Sequence, residues 1–366
     1  MSRKLKDVLI LIPFIGVLKR VLLKKTFFQV LPVAFGYADF LRNKFRVVPA
    51  SVPLALMVAV GIIPILKLGI GPEPFFRLLQ LLGMILFMSY LVRNLRESHL
   101  TKLISALLII HVLTLALDLV WGSTPWRREF FGISIYRFPG IVGEPNFSSA
   151  LLVGLLGISL ALNQKGLAAA SFLSILPTWS RAGILGSVLL ATLHFVRPRL
   201  SKRTQMALGL VGTLGFLLAP FLIHILFQFS SPETATRLSS MSPRFFQIPS
   251  YVDLAIDNPL GVGYRQGGAH VRPYVDRNMV KVDRSPMYSE QHNLYVQVIS
   301  EFGFLGFILF GIFLVTITKR SSLNQFRFLP VWLTTLFMFS FTNGLSELIF
   351  YLAAACTYGL ATDKNS

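Results

Sequence analysis

A histidine stands in Gln291-His292-Asn293-Leu294-Tyr295, where a long polar stretch gives way to an apolar run. Imidazole titrates near neutrality, so a histidine there is suited to taking a proton from a hydroxyl. Hydrocarbon penalises ionisable groups, and one at its edge needs a reason. Beyond it Asn293, Gln297, Ser300 and Glu301 recur at helical spacing, a polar stripe along an apolar helix. Such a stripe should face the bundle interior or a water-filled cavity. Gly303 and Gly306 would then permit close helix packing. By itself His292 reads as an interfacial histidine; its place beneath an arginine-rich loop favours chemistry.

The arginines supply the second half of that chemistry. Arg181, in Ser180-Arg181-Ala182-Gly183, falls between two short apolar stretches. Its planar guanidinium fork suits phosphate oxygens, or else it snorkels to the interface. Gly183 and Gly186 would let another backbone approach. The loop 229–291 carries Arg237, Arg244, Arg265, Arg272, Arg277, Lys281 and Arg284 against Glu233, Asp253, Asp257, Asp276, Asp283 and Glu290. That near-balance makes most of them solvated or paired charges. Within the loop, 245–256 reads as an amphipathic helix, and Asn258-Pro259-Leu260-Gly261-Val262-Gly263-Tyr264 as a tight turn. A third segment, Arg137 to Asn146, is rich in Pro and Gly. It reads either as a turn with Asn146 capping the next helix, or as a pocket wall where Asn146 or Glu144 touches a glycan.

Other groups carry less. His111 and Asp118 lie on one face of a span and read as a buried polar pair, with an ion pathway as the alternative. His99, His194 and His224 show no spacing signal. HExxH, CxxC, Walker A and Asp-x-Asp elements are absent from the sequence, which argues against a structural zinc site and against metal-bound nucleotide-sugar chemistry. The single cysteine, Cys356, permits no internal disulfide.

The elements that must position these groups are membrane helices. Only 14% of the 366 residues are charged and 54% are hydrophobic, where a soluble domain has about 25% charged. The apolar pattern predicts one all-α membrane domain over 1–366 with ten spans, near 48–66, 75–92, 101–121, 146–162, 167–179, 182–196, 205–228, 292–318, 328–344 and 347–361. No cleavable signal peptide is expected, because Lys19, Arg20, Lys24 and Lys25 closely follow the first apolar stretch. Residues 1–47 read as a cytoplasmic, interfacial amphipathic segment or as a helical hairpin, which would bring the count to twelve. The net charge of +19 arises from clusters between apolar spans, so it speaks for membrane topology and not for nucleic acid. Fifteen basic residues in short segments, including Arg42, Arg93, Lys102, Arg197, Lys202, Lys319 and Arg327, fall on one side, against six on the other. The positive-inside rule then places loop 229–291 on the periplasmic or outer face.

In this order, Ser180-Arg181-Ala182-Gly183, Ser242-Pro243-Arg244 with Asn258-Pro259-Leu260-Gly261-Val262-Gly263, and His292-Asn293-Leu294-Tyr295 with Gly303-Phe304-Leu305-Gly306 resemble the O-antigen ligase and O-antigen polymerase superfamily of bacterial membrane glycosyltransferases. The resemblance spans 138–310. It implies a GT-C-like inner-membrane bundle of about ten to twelve helices with a large periplasmic loop, and no cofactor and no metal. The implied donor is a glycan on undecaprenyl diphosphate. The implied acceptor is another glycan or lipid A-core, in the bilayer and alongside polysaccharide-assembly proteins. Arg181 and Arg244 would grip the diphosphate and His292 would activate the acceptor hydroxyl. Pro243 stands where the family usually has Gly, which makes Arg265 the reserve for Arg244. Glu144, Asn146, Glu290 and Asn293 are the candidates for glycan contact. Polymerase and ligase share these motifs. Protein O-glycan transfer is a third outcome, and a secondary transporter using His111, Asp118 and Glu301 is the rival from another class.

Overall fold

The computed structural model describes residues 27–69, 71–121, 126–130, 133–138, 144–231, 234, 243–279, 292–324, 326–342, 345 and 347–359. The chain folds as a helical bundle, and each predicted span falls mainly on helix, the first of them on two, Val52–Val60 and Ile62–Leu68. Helix α1 is Phe27–Arg42. After a 3-10 turn at Pro49–Ser51 come α2 Val52–Val60, α3 Ile62–Leu68, α4 Pro72–Asn94 and α5 Glu97–Trp121. Then follow α6 Pro145–Ala161, α7 Lys165–Ile175, α8 Arg181–Val196 and α9 Lys202–Phe229. The loop holds α10 Pro243–Asp257, α11 Gly267–His270 and α12 Arg272–Met279. The last three helices are α13 Leu294–Asn324, α14 Leu329–Phe339 and α15 Leu348–Tyr358.

Five stretches among the described residues are long and apolar enough to cross a membrane: Pro49–Lys67, Pro72–Asn94, Glu97–Ala116, Lys202–Phe229 and Leu294–Ser321. They differ in what they face. Only 22% of the apolar window of α9 is buried, against 67% for α13. Leu208, Val211, Leu218, Leu222 and Phe229 of α9 point outward, as lipid-facing side chains do.

The shorter helices survive because protein surrounds them. At 11 residues, α14 and α15 are each about 16 Å long, roughly half the hydrocarbon thickness. Nearly every residue of both is buried. Irregular backbone at membrane depth is tolerated in such a setting.

Lipid tails are as apolar as leucine, so packing and interhelical hydrogen bonds hold the bundle. Thr318 of α13 joins Thr213 of α9 at 2.9 Å and accepts from the Trp332 indole of α14 at 3.0 Å. Such bonds contribute about 0.6 to 2 kcal/mol each. The Trp332, Phe310, Phe313 and Phe350 rings pack around them.

Residues 1–26 of the N-terminal segment lie outside the described residues. Helix α1 lies lengthwise against α4. A Cβ on Gly36 would come within 2.3 Å of the Gly83 carbonyl, so the two backbones are almost in contact. Tyr37 donates to Leu79 O at 2.8 Å, and Arg93 donates to Asp39 at 2.5 Å.

One element was not legible in the sequence pattern, a β-hairpin of β1 Trp126–Phe130 and β2 Ile133–Arg137, paired Trp126↔Arg137 to Phe130↔Ile133. The two residues between the strands match the commonest hairpin loop length, and Ile133 and Ile135 favour extended backbone. Its last residue delivers Arg137 to the bundle.

Loop 229–291 is folded where it is described. Ile248, Tyr251, Val252 and Leu254 of α10 join Val262, Val271 and Val275 in a small core over Phe227 and Val296. This core seats the loop on the ends of α9 and α13. The amphipathic helix expected at 245–256 is α10, and the expected turn closes through Gly261 N to Asn258 O at 2.8 Å.

Candidate active site

Two helix starts carry the groups of interest. At the first, a 3-10 turn Leu176–Thr178 ends on Trp179 in left-handed conformation, φ 45°, and Ser180 caps α8 by accepting from Gly183 N at 3.2 Å. Arg181 is the first residue of α8 and is exposed.

A network backs this start. Arg137 is only 6% exposed, and a buried guanidinium must be paired. Its Nε donates to Thr178 O and its NH2 to Asn146 Oδ1, both at 3.0 Å. Ser180 Oγ donates to the same Asn146 oxygen at 3.2 Å, and Asn146 Nδ2 donates to Glu144 Oε1 at 2.8 Å. Asn146 therefore does not cap α6, as the turn reading expected. It lies inside the first turn, where Glu144 holds the cap position without a side-chain bond, and its amide is committed to Arg137, Ser180 and Glu144. Gly183 and Gly186 admit side chains and not a backbone: Cβ atoms there would meet Ser149 and Met338 at 2.7 and 2.6 Å.

At the second start Asn293 is the cap. Its Oδ1 accepts from Tyr295 N and Val296 N at 3.0 and 3.1 Å. Its Nδ2 donates to Ser340 O at 2.9 Å, and Tyr295 OH donates to Leu336 O at 2.9 Å. Carbonyls in the last turn of a helix lack intrahelical partners. Two side chains from the start of α13 thus satisfy the end of α14. His292, half-buried, precedes that doubly anchored cap. Helix α8 packs on α14 as well, with Gly186 against Met338, so both starts are referenced to one helix.

The polar stripe is buried, as its spacing required: Asn293, Gln297, Ser300 and Glu301 are all under a tenth exposed. Gln297 Nε2 donates to Glu301 Oε2 at 3.1 Å. The Glu301 carboxylate also accepts from the backbone N–H groups of Arg265 and Gly267. Its main task is therefore to hold the 259–267 turn against α13.

The helix opens to receive that turn. Gly303 has φ 69° and ψ −171°, a break within α13. There Val262 N bonds Ser300 O, Gly263 N bonds Glu301 O and Phe304 N bonds Pro259 O, each at 3.0 Å. A Cβ on Gly303 would sit 2.2 Å from Pro259 O. Gly303 was expected to serve helix packing; it serves this docking, while Gly306 packs against Phe302 and Met57. The docked turn holds Arg265 exposed, with φ 61° and its guanidinium 5.8 Å from the Tyr264 ring centroid.

The remaining candidates separate. Arg244 lies in the first turn of α10 by backbone; its side chain, that of Asp118 and all of Glu290 are outside the described residues. His111 is buried within α5. Sequence reasoning missed two partnered groups, Arg137 and His224. Arg137 entered only as the start of a turn, although an arginine beside a Pro-Gly stretch could have raised the question. His224 showed no spacing signal because its partner is distant in sequence: its Nε2 lies 3.7 Å from Asp253 Oδ1, while Asn278 donates to Asp253 Oδ2 at 2.9 Å. Beside it, burial and then the hydrogen bond to Asp257 push the Tyr274 phenol above its usual range.

Residues 166–311 match the family model described as O-antigen ligase. The chain carries an O-antigen ligase family domain. The matched span takes in Arg181, Arg244, Arg265, His292 and the Gly303 break, and leaves Arg77, Arg137, Glu144 and Asn146 outside. With the membrane helices, the O-antigen ligase match at 166–311 supports a multi-pass membrane protein of ligase- or polymerase-type function. No curated protein and no solved structure matches the chain.

Proposed function

We propose that this protein is an inner-membrane glycosyltransferase that moves a glycan from undecaprenyl diphosphate to an acceptor hydroxyl on the periplasmic face. One observation carries the proposal. His292 is held ahead of a cap anchored on α14, and α8, which begins with the exposed Arg181, packs on the same helix. That supplies an imidazole and a cation on a shared frame.

His292 takes the proton of the acceptor O–H as that oxygen bonds to the anomeric carbon. The bond from that carbon to the diphosphate oxygen breaks, and undecaprenyl diphosphate leaves with the electron pair. Attack from the opposite side inverts the centre. Arg181, with Arg244 or Arg265, offsets the charge gathering on the diphosphate. The leaving group is itself stabilised by the arginines, so this chemistry requires no metal ion. Arg137, Asn146 and Glu144 hold Ser180 and hence the start of α8. Glu144, Asn146 and Asn293 lie in segments that would flank the glycan, and Glu290 is assigned to it from the sequence alone.

Polymerase and ligase differ only in the acceptor. Reconstitution of the purified protein with undecaprenyl-diphosphate-linked glycan, together with either a second such molecule or lipid A-core, decides between them. A growing ladder marks a polymerase; a single transfer onto lipid A-core marks a ligase. Absence of product with both acceptors, in protein that remains folded, would overturn the proposal.

A further inference from the structure

Helices α7 and α8 form a hairpin that is short for a bilayer. At 11 and 16 residues they are about 16 and 24 Å long, against a hydrocarbon core of about 30 Å. Helix length therefore does not bring their shared turn to the outer surface. Arg181 stands exposed at that turn, and its depth in the membrane decides both its cost and what it can reach. Some other feature has to set that depth.

The turn holds one. Trp179 is in left-handed conformation, φ 45° and ψ 34°. That region suits glycine, and a bulky aromatic residue there is strained. Its surroundings enforce it. Thr178 and Ser180 on either side are buried, and Thr178 O accepts from Arg137 Nε. Pro177 O accepts from Phe138 N at 3.1 Å, and Trp179 N donates to Leu176 O at 3.0 Å. Strain held in place by over-determined neighbours points to a function. Its result is to put the indole outside, 53% exposed between two buried residues. Phe172, Leu173 and Leu176 before the turn are exposed as well, and so are Ile184, Leu185 and Val188 after it. Such a surface on a membrane hairpin has lipid for its neighbour.

We propose that Trp179 is a membrane-interface anchor: its indole sits in the glycerol and carbonyl layer of the outer leaflet and sets the height of Arg181. The chemistry selects this partner. An indole has an apolar body and a single N–H donor, which match a layer that is apolar on one side and wet on the other. A hydrophobic segment shorter than the bilayer thins it locally, and an anchor fixes where that happens. Trp179 is a positioning residue that acts through Arg181. Only that second step rests on the donor-binding role proposed above.

The test uses the full-length protein in nanodiscs and proteoliposomes. Subtracting the emission of Trp179→Phe, which keeps Trp121, Trp126 and Trp332, isolates the Trp179 signal. Lipids brominated near the glycerol should quench it more than lipids brominated at the chain end, and aqueous iodide should quench it least. Quenching by iodide without quenching by lipid overturns the anchor. So does protection of the signal by a soluble glycan, which would assign the indole to a sugar ring. Trp179→Gly should raise the thermal midpoint in detergent, because glycine adopts this backbone without strain. The same variant should raise KM for the lipid donor several-fold at unchanged kcat, and more in long-chain than in short-chain phosphatidylcholine. Trp179→Tyr should restore most of that loss. A KM that does not change with Trp179→Gly at either chain length overturns the positioning role. Absence of transfer by the wild-type protein overturns the proposed function instead, and the quenching still decides the anchor.

Discussion

At the start of α8 a serine takes the capping bond, and the arginine after it stands in the open. At the start of α13 an asparagine caps, and the histidine ahead of it is half-buried. The device is the same, but the support differs. Ser180 shares an oxygen of Asn146 with a buried arginine, so a side-chain network locates it. Asn293 completes the end of α14 and is located by backbone. The difference suits the work assigned to each. A cation that grips a flexible lipid headgroup can act from a surface position, whereas a proton acceptor must be placed to within a fraction of an ångström.

The sharpest way to break this comparison is His292→Ala. Glycan transfer in the reconstituted system should fall about 100- to 10,000-fold, the range for a positioned acid–base group. Membrane abundance should not change; near-normal transfer would remove His292 from the chemistry. Arg181→Gln should cost less, about ten- to a hundredfold, chiefly in KM for the lipid donor. Arg181→Lys should fall between, because it keeps the charge and loses the fork. A melting temperature that drops with Arg181→Gln would show that this arginine is structural after all.

Removing the caps compares the supports themselves. Asn293→Ala removes two capping bonds and orphans a helix-end carbonyl, and should destabilise the protein by about 2 kcal/mol. Ser180→Ala should cost about 1 kcal/mol, since Arg137 still ties Thr178 to Asn146. Denaturation of the two variants in the same detergent settles the order, and equal losses would erase the distinction. The smallest effect expected is that of EDTA. Transfer should persist in it at close to the untreated rate, and strict dependence on an added divalent ion would contradict the mechanism.

The helices were legible because their signal is local: apolar runs with charged or Pro-Gly ends can be read one segment at a time. The turn at Asn258 to Tyr264 was legible for the same reason. The polar stripe on α13 gave its burial but not its task. Its spacing says that Glu301 faces inward; nothing local says that the 259–267 turn arrives there. The hairpin at 126–137 was hidden by its short strands. Arg137 was passed over because Thr178, which it holds, lies 41 residues away. Asn146 was legible as a polar residue at a helix start, yet its amide serves Ser180, 34 residues away. His224 met the same obstacle, since Asp253 reaches it only once α10 has folded down onto α9.

The break at Gly303 divides α13 into two helical segments that do not share one rotational phase. A scan of substitutions along 294–321 should therefore trace two tolerance waves, each with the helical period and offset from the other where the 259–267 turn enters. Alignment of one continuous wheel across the whole span would mislabel the lipid side of one segment. The outer segment answers to the loop seated upon it, and the inner one to the aromatic core around Trp332.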